Sequence, residues 1–273
     1  MLINCFSIFF SSFLVGILAI FLLRKMALKS GFFMMKGTPL VGGIGIALVF
    51  ILGSLAGLFI FKIISKEITG IFLASAAMLI FGLFDDHKEL SIKTKFIVQI
   101  IAALILILFG VRTNIVYIGA LANVAITLIW IIGITNAFNH LDIMDGLAAG
   151  VAVIVSGAFL IAALINQDIN SLIIALALLS GVFSFLIYNL PPAKVYMGNS
   201  GSHFLGFILS AVAIVISYAP MERKVALLSP ILILGFPIFD TVFVSILRLK
   251  KNILPFKKSN DHLALIFLKL GFP

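Results

Sequence analysis

The chain has 273 residues, 63% of them hydrophobic and only 11% charged, with a mean hydropathy of +1.29. Such values exclude a soluble globular domain, and apolar runs that are unbroken rather than alternating exclude a membrane β-barrel. A formal charge of +9 does not point to nucleic acid, because the basic residues are scattered between apolar runs where they orient membrane helices, and a single Cys5 excludes an internal disulfide.

At roughly 20 apolar residues per span, the chain has room for about nine or ten helices. The first run, 2–23, lacks a charged start and a small-residue cleavage site and is followed by basic residues, so it reads as a span and not as a removed signal. Further spans are predicted at 41–61, 68–84, 96–111, 115–134, 147–165, 171–188, 203–218 and 225–247. The expectation is all-α: a polytopic bundle of about nine helices, residues 1–273 forming one integral-membrane domain with no soluble domain, linker or repeat. Fourteen Lys and Arg residues fall on one set of alternate connections (24–36, 88–95, 194 and 248–269), against five on the other (Lys62, Lys66, Arg112, Arg223, Lys224). The positive-inside rule then places the N-terminus outside and the first set of connections in the cytoplasm.

The polar residues sort onto the same side. In the first connection Thr38-Pro39 precedes Gly42-Gly43; Pro39 suits the first turn of the second helix, and the glycines suit close helix packing. At the end of the third span, Asp85 and Asp86 either hold a cation or act as a base, with Lys88, Lys93 and Lys95 available to phosphate, or they are simply a solvated helix end. The fifth span leads into TNAFNHLDIMDGLAAG, residues 135–150, where Asn136, Asn139, Asp142 and Asp145 are spaced by three. On a continuous helix each such step turns about 300°, so the set fans over half the circumference and only neighbours can share a ligand. Two amides and two carboxylates are the hard oxygen donors that magnesium prefers; the alternative is a polar loop capping helix ends. His140 reads as structural rather than as a metal ligand.

Gly198-Asn199-Ser200-Gly201-Ser202, after the seventh span, is a candidate anion nest at the start of the next helix, although short Gly-Ser turns are ordinary. Asp240 is an intramembrane carboxylate, hence either a site residue or a buried acid bonded to a neighbouring helix. Asp261-His262 follows the last span in a Lys-rich segment that either touches a soluble anion or is a solvated tail. The external connections hold little besides Glu67, Asp168 and Glu222.

The succession KGTPLVGG at 36–43, DDHKELS at 85–91, NAFNHLDIMDGL at 136–147, AKVYMGNSGSHFLG at 193–206, FPIFDT at 236–241 and DHLALIFLKLG at 261–271 resembles the polyprenyl-phosphate N-acetylhexosamine-1-phosphate transferase family. The resemblance covers nearly the whole chain. It implies a magnesium-dependent reaction at the cytoplasmic membrane, in which a UDP-N-acetylhexosamine gives its sugar phosphate to undecaprenyl phosphate and releases UMP. By position, Asp85 would bind or deprotonate the lipid phosphate beside Asp86, and Lys95 would meet phosphate. Asn136, Asn139, Asp142 and Asp145 would surround nucleotide and metal, with Gly198, Ser200, Ser202 and His262 at the substrate and Asn199, Asp142 and Asp145 at magnesium. A homodimer is one assembly compatible with this reading.

Departures from the family pattern bear on activity. The usual Met-Gly-Asp reads Met197-Gly198-Asn199, Ile143 replaces a glycine, and the His-x-His-His signature keeps only His262, with Ala264 and Leu265 where further histidines are expected. The chain also stops where another span is expected. Missing histidines favour UDP-N-acetylglucosamine or a related aminosugar over a peptide-bearing donor. Two other classes stay open: a non-catalytic member that binds lipid phosphate or partner enzymes, and a transporter using intramembrane acids, which the clustering of polar groups on one side disfavours.

Overall fold

A computed structural model describes residues 1–116, 118–216, 228–252 and 262–271. Glu222, Arg223, Lys224, Lys257, Lys258, Asp261, Phe272 and Pro273 lie outside the described residues, as do the end of the eighth predicted span and the start of the ninth. The chain forms α1 (Leu2–Ser30), β1 (Met34–Met35), β2 (Thr38–Pro39), α2 (Gly42–Phe61), α3 (Lys66–His87), α4 (Ile92–Leu108), α5 (Gly119–Leu141), α6 (Leu147–Ile165), α7 (Ile169–Asn189), α8 (Gly198–Val215), α9 (Ser229–Ile233), α10 (Gly235–Lys250) and α11 (Leu263–Lys269). It is an all-α, multi-pass membrane protein in which, among the described residues, seven helices are long and apolar enough to cross a bilayer.

Those seven are α1, α2, α3, α5, α6, α7 and α8. The fourth and ninth predicted spans correspond to shorter helices, α4 with 17 residues and α10 with 16. The ninth is broken at Leu234, where α9 ends and α10 begins. Pro237 has no N–H to give to the carbonyl of Ile233 and its ring crowds that carbonyl, which explains the break. At the other extreme, α1 runs for 29 residues, about 43 Å of helix against a hydrocarbon layer of about 30 Å. Its last turns carry Arg24, Lys25 and Lys29, and it stops at Gly31, whose φ of 71° lets its N–H return to Ala27 O at 2.9 Å.

Other boundaries follow from local chemistry. Ser65 Oγ accepts from Ile68 N at 3.1 Å, Ser91 Oγ from Thr94 N at 3.2 Å, and Asp168 Oδ1 from Ser171 N at 3.1 Å, capping α3, α4 and α7. Pro39 is not in a helix: Thr38 and Pro39 pair antiparallel with Met35 and Met34, and α2 starts only at Gly42.

The bundle is organised around α7 and α8, buried over 72% and 83% of their spans, while α1 is 22% buried. Lipid tails are as apolar as leucine, so helices in a membrane associate through close van der Waals contact at small residues. On α8 the residues 200–213 are all buried, with α2, α3 and α5 packed against it. At Gly82 of α3 a Cβ would lie 2.4 Å from the Ser200 Cα, so this approach requires glycine. The expectation that Gly42-Gly43 packs closely also holds, since Gly42 N and Gly43 N donate to Tyr196 O and Met197 O, both at 3.0 Å.

Candidate active site

The ends of α3, α5 and α8, with the turns after α3, α5 and α7, meet at one end of the bundle. Asp85 and Asp86 end α3 and turn in different directions. Asp85 is 2% exposed, so the solvated-helix-end reading fails. Its Oδ1 accepts from Leu90 N at 2.8 Å, and its Oδ2 pairs with Lys95 Nζ of α4, which joins the two helices across their turn. Asp86 reaches α8, with Oδ1 accepting from Asn199 N at 2.7 Å and Oδ2 from Ser200 N at 3.0 Å.

Those two bonds correct the anion-nest expectation. The helix begins at Gly198, and the amides predicted to hold a substrate phosphate are taken by the carboxylate of Asp86. A negative group at a helix N-terminus satisfies donors that have no partner within the helix, so the chain fills its own nest. Ser200 and Ser202 are fully buried and Gly198 is buried, which puts all three behind the surface a substrate would meet.

The central motif does not follow the fifth span as a loop, because α5 continues through Leu141. Asn136 therefore sits on helix, and its Nδ2 donates to Gln99 Oε1 and to Ile132 O, both at 2.8 Å, while Gln99 Nε2 returns a bond of 3.3 Å to Asn136 Oδ1. Such a reciprocal amide pair joins α4 and α5, and it is where the structure puts the amide of Asn136. Gln99, a lone amide in an apolar run, was passed over as a site residue; its membrane depth was the available signal.

Asn139, one turn further, faces α8. Its Nδ2 donates to Asn199 Oδ1 at 3.1 Å and to Ser202 Oγ at 2.9 Å. His203 Nδ1 lies 3.4 Å away but is a donor itself, to Asn199 O at 2.9 Å. Both amide protons of Asn139 are thus used on α8. Among the described residues no donor reaches its Oδ1.

After Leu141 the helical path stops at Asp142, with φ −78° and ψ 53°, so Asp142 and Asp145 leave the fan expected of a continuous helix. Asp145 Oδ2 accepts from Ala193 N at 2.9 Å, and Asn189 bridges Gly146 N to Val195 O, both at 3.0 Å, tying the α5–α6 turn to the α7–α8 connection. Asp142 is half-buried, and no hydrogen bond reaches its carboxylate among the described residues. Burial first, then the charges of Asp86 and Asp145, raise it to about 7.

An unpartnered carboxylate with the charges of two further acids near it, three residues after an amide oxygen that no donor reaches among the described residues, is a donor set for a hard divalent cation. Among the described residues no three His, Cys, Asp or Glu side chains enclose a metal. Magnesium, which keeps several positions for water and substrate phosphates, needs no such cage, so the residues fit it. Asn199 Oδ1 already accepts from Asn139 and keeps one lone pair for such a cation.

On the far side of α5, His262 is 3% exposed and bonded to Asp240 of α10, which corrects the solvated-tail reading; its partner in sequence, Asp261, lies outside the described residues. Its ring meets that of His140, with centroids 6.2 Å apart. Arg248, also missed in the sequence, is buried on α10.

The glycosyl transferase family 4 model matches residues 68–217. The chain is 34% identical over 250 residues to the probable undecaprenyl-phosphate N-acetylglucosaminyl 1-phosphate transferase of Bacillus subtilis (strain 168), covering 86% of this chain and 68% of that protein. It is 31% identical to the undecaprenyl-phosphate alpha-N-acetylglucosaminyl 1-phosphate transferase of Thermotoga maritima, covering 85% and 68%. To the phospho-N-acetylmuramoyl-pentapeptide-transferase of Listeria monocytogenes serovar 1/2a it is 30% identical, covering 66% and 62%. The chain spans about two thirds of the length of these relatives.

Proposed function

Starting from a chain that belongs to glycosyl transferase family 4, we propose that it transfers an N-acetylhexosamine 1-phosphate, GlcNAc 1-phosphate in particular, from a UDP-sugar to undecaprenyl phosphate. An oxygen of the lipid phosphate forms a bond to the phosphorus that carries the sugar. The bridging P–O bond breaks, its electron pair leaves with UMP, and the product is a polyprenyl-diphosphate sugar that starts a cell-envelope glycan.

The observation that carries this reading is the convergence of Asp85 with Lys95, Asn139 with Asn199, and unpartnered Asp142 at one end of a membrane bundle. An anion attacking a dianionic diphosphate needs positive charge and placement more than covalent help. Lys95, held at Asp85 and one-fifth exposed, offers an ammonium to the lipid phosphate. Asp85, buried and paired with Lys95, acts by holding that ammonium in place, while Asp86 acts by holding the start of α8 in register. Asn139 Oδ1, Asn199 Oδ1, Asp142 and Asp145 would hold magnesium with the nucleotide. When bound, magnesium neutralises the diphosphate oxygens. The excess of basic residues on this set of connections supports a site at the cytoplasmic face of the inner membrane, with the N-terminus outside.

The test is UMP release by the purified protein with undecaprenyl phosphate, magnesium and UDP-aminosugars, run beside Asn199→Asp. Turnover that requires both lipid and magnesium is the expected outcome. A second reading, a non-catalytic relative, is favoured by Asn199 alone, whose amide stands where the resemblance expects a charged ligand. Turnover absent from both proteins would establish it.

A further inference from the structure

Residues 1–66 contain no Asp or Glu, yet the end of α1 and the hairpin after it carry Arg24, Lys25, Lys29 and Lys36. Among the described residues no carboxylate pairs with any of the four, so their charge is left to be met from outside the protein. The helix that carries three of them also outlasts the membrane. Against about 30 Å of hydrocarbon, the roughly 43 Å of α1 leaves about 13 Å, a little over two turns, for the headgroup layer. Arg24, Lys25 and Lys29 fall in those turns.

The three are not equivalent. Arg24 lies on the packed stripe of α1, between Ile20 and Ala27, and its Nε is sealed with no acceptor among the described residues. A buried donor left unmet asks for an acceptor, and the guanidinium fork suits phosphate oxygens. Lys25 and Lys29, one turn apart, are exposed, as is Lys36 in the hairpin. Met26, Leu28, Phe32 and Met35 lie exposed between them. Cations alternating with bare apolar side chains suit a bilayer boundary, where the stems lie in hydrocarbon and the charged heads at phosphate level. The hairpin ends at Pro39, whose O accepts from Tyr196 N at 2.8 Å, so this surface stands at the same end of the bundle as Asn199.

We propose that the end of α1 and the following hairpin dock the phosphate headgroups of anionic phospholipids, with Arg24, Lys25 and Lys29 as the phosphate contacts. Charge commits the surface to that occupant, since a zwitterionic headgroup brings its own cation to a place that holds no anion. The interleaved apolar side chains commit it to a lipid and not a soluble anion, because they need acyl chains beside them. Cations also suit the negative end of a helix, a role confined to stability; a preference between lipids separates the two.

Native mass spectrometry of the detergent-purified protein, titrated with phosphatidylglycerol or with phosphatidylcholine, tests this. The wild type is expected to bind phosphatidylglycerol more tightly. Each of Arg24→Gln, Lys25→Gln and Lys29→Gln is expected to weaken that binding about fivefold, the equivalent of about 1 kcal/mol per basic residue at an anionic surface, and to leave phosphatidylcholine binding as it is. Arg112→Gln, an exposed cation on the connection between α4 and α5, is the control and should change neither. The Lys25→Gln/Lys29→Gln double variant, at two exposed positions, carries the test if Arg24→Gln does not fold. Equal wild-type affinity for the two lipids, an unchanged phosphatidylglycerol affinity in the double variant, or the same loss in Arg112→Gln would each overturn the proposal. So would a preference for undecaprenyl phosphate over phosphatidylglycerol that the same substitutions abolish, since the surface would then belong to the lipid substrate.

Discussion

Two adjacent carboxylates show how little identity alone says about a residue's work. Asp85 and Asp86 differ by one position on α3, yet a helix step of about 100° sends one to Lys95 on α4 and the other to the first amides of α8. Asp142 differs again, because nothing among the described residues bonds to it and its acidity is weakened to about 7. That direction has a measurable sign. Below pH 7 the proton holds the carboxylate and competes with a cation; above it the carboxylate is bare. Magnesium affinity, measured by titration calorimetry on the detergent-solubilised protein between pH 5.5 and 8, is therefore expected to rise up to about tenfold per unit below 7 and to level off above it. A flat profile would remove Asp142 from the metal site.

At the scale of the element, α8 is the part that tolerates least. It presents Ser200 backbone to Gly82, its start is capped by Asp86, and its Asn199 and Ser202 receive both protons of Asn139. Gly82→Ala has to displace backbone and is expected to cost about 1–3 kcal/mol, seen as a lower melting temperature in detergent. Gly133 of α5 is the control, since a Cβ there meets nothing within 4 Å. Gly133→Ala should be neutral or gain up to about 1 kcal/mol through helix propensity. Equal losses in the two variants would mean that the α3–α8 approach is not the constraint.

For the whole molecule the testable quantity is orientation. In a Cys5→Ala background, Arg112→Cys is expected to react with a membrane-impermeant maleimide in intact cells, and Lys93→Cys only after permeabilisation. The reverse pattern would invert the proposed topology and place the site outside. Both positions are exposed, so access and not burial decides the outcome.

Much of this was legible without coordinates. Span existence follows from long apolar runs, because a bilayer demands them, and the predicted 147–165 helix matches α6 end for end. The gathering of polar motifs at one end was readable from their order between spans, since it depends on which connection a residue occupies and not on its neighbours. What the letters did not carry was partnership. Whether the amides after Gly198 await a phosphate or already hold Asp86, and whether Asn136 faces a nucleotide or Gln99, depends on which distant side chain arrives. So does whether Asp240 works alone or steadies His262. Spacing of three along a helix cannot choose among such partners, and a turn at Asp142 redirects the series altogether. Composition and period determine that helices form and where they stand; only their packing decides which polar groups are spent on one another and which remain open for chemistry.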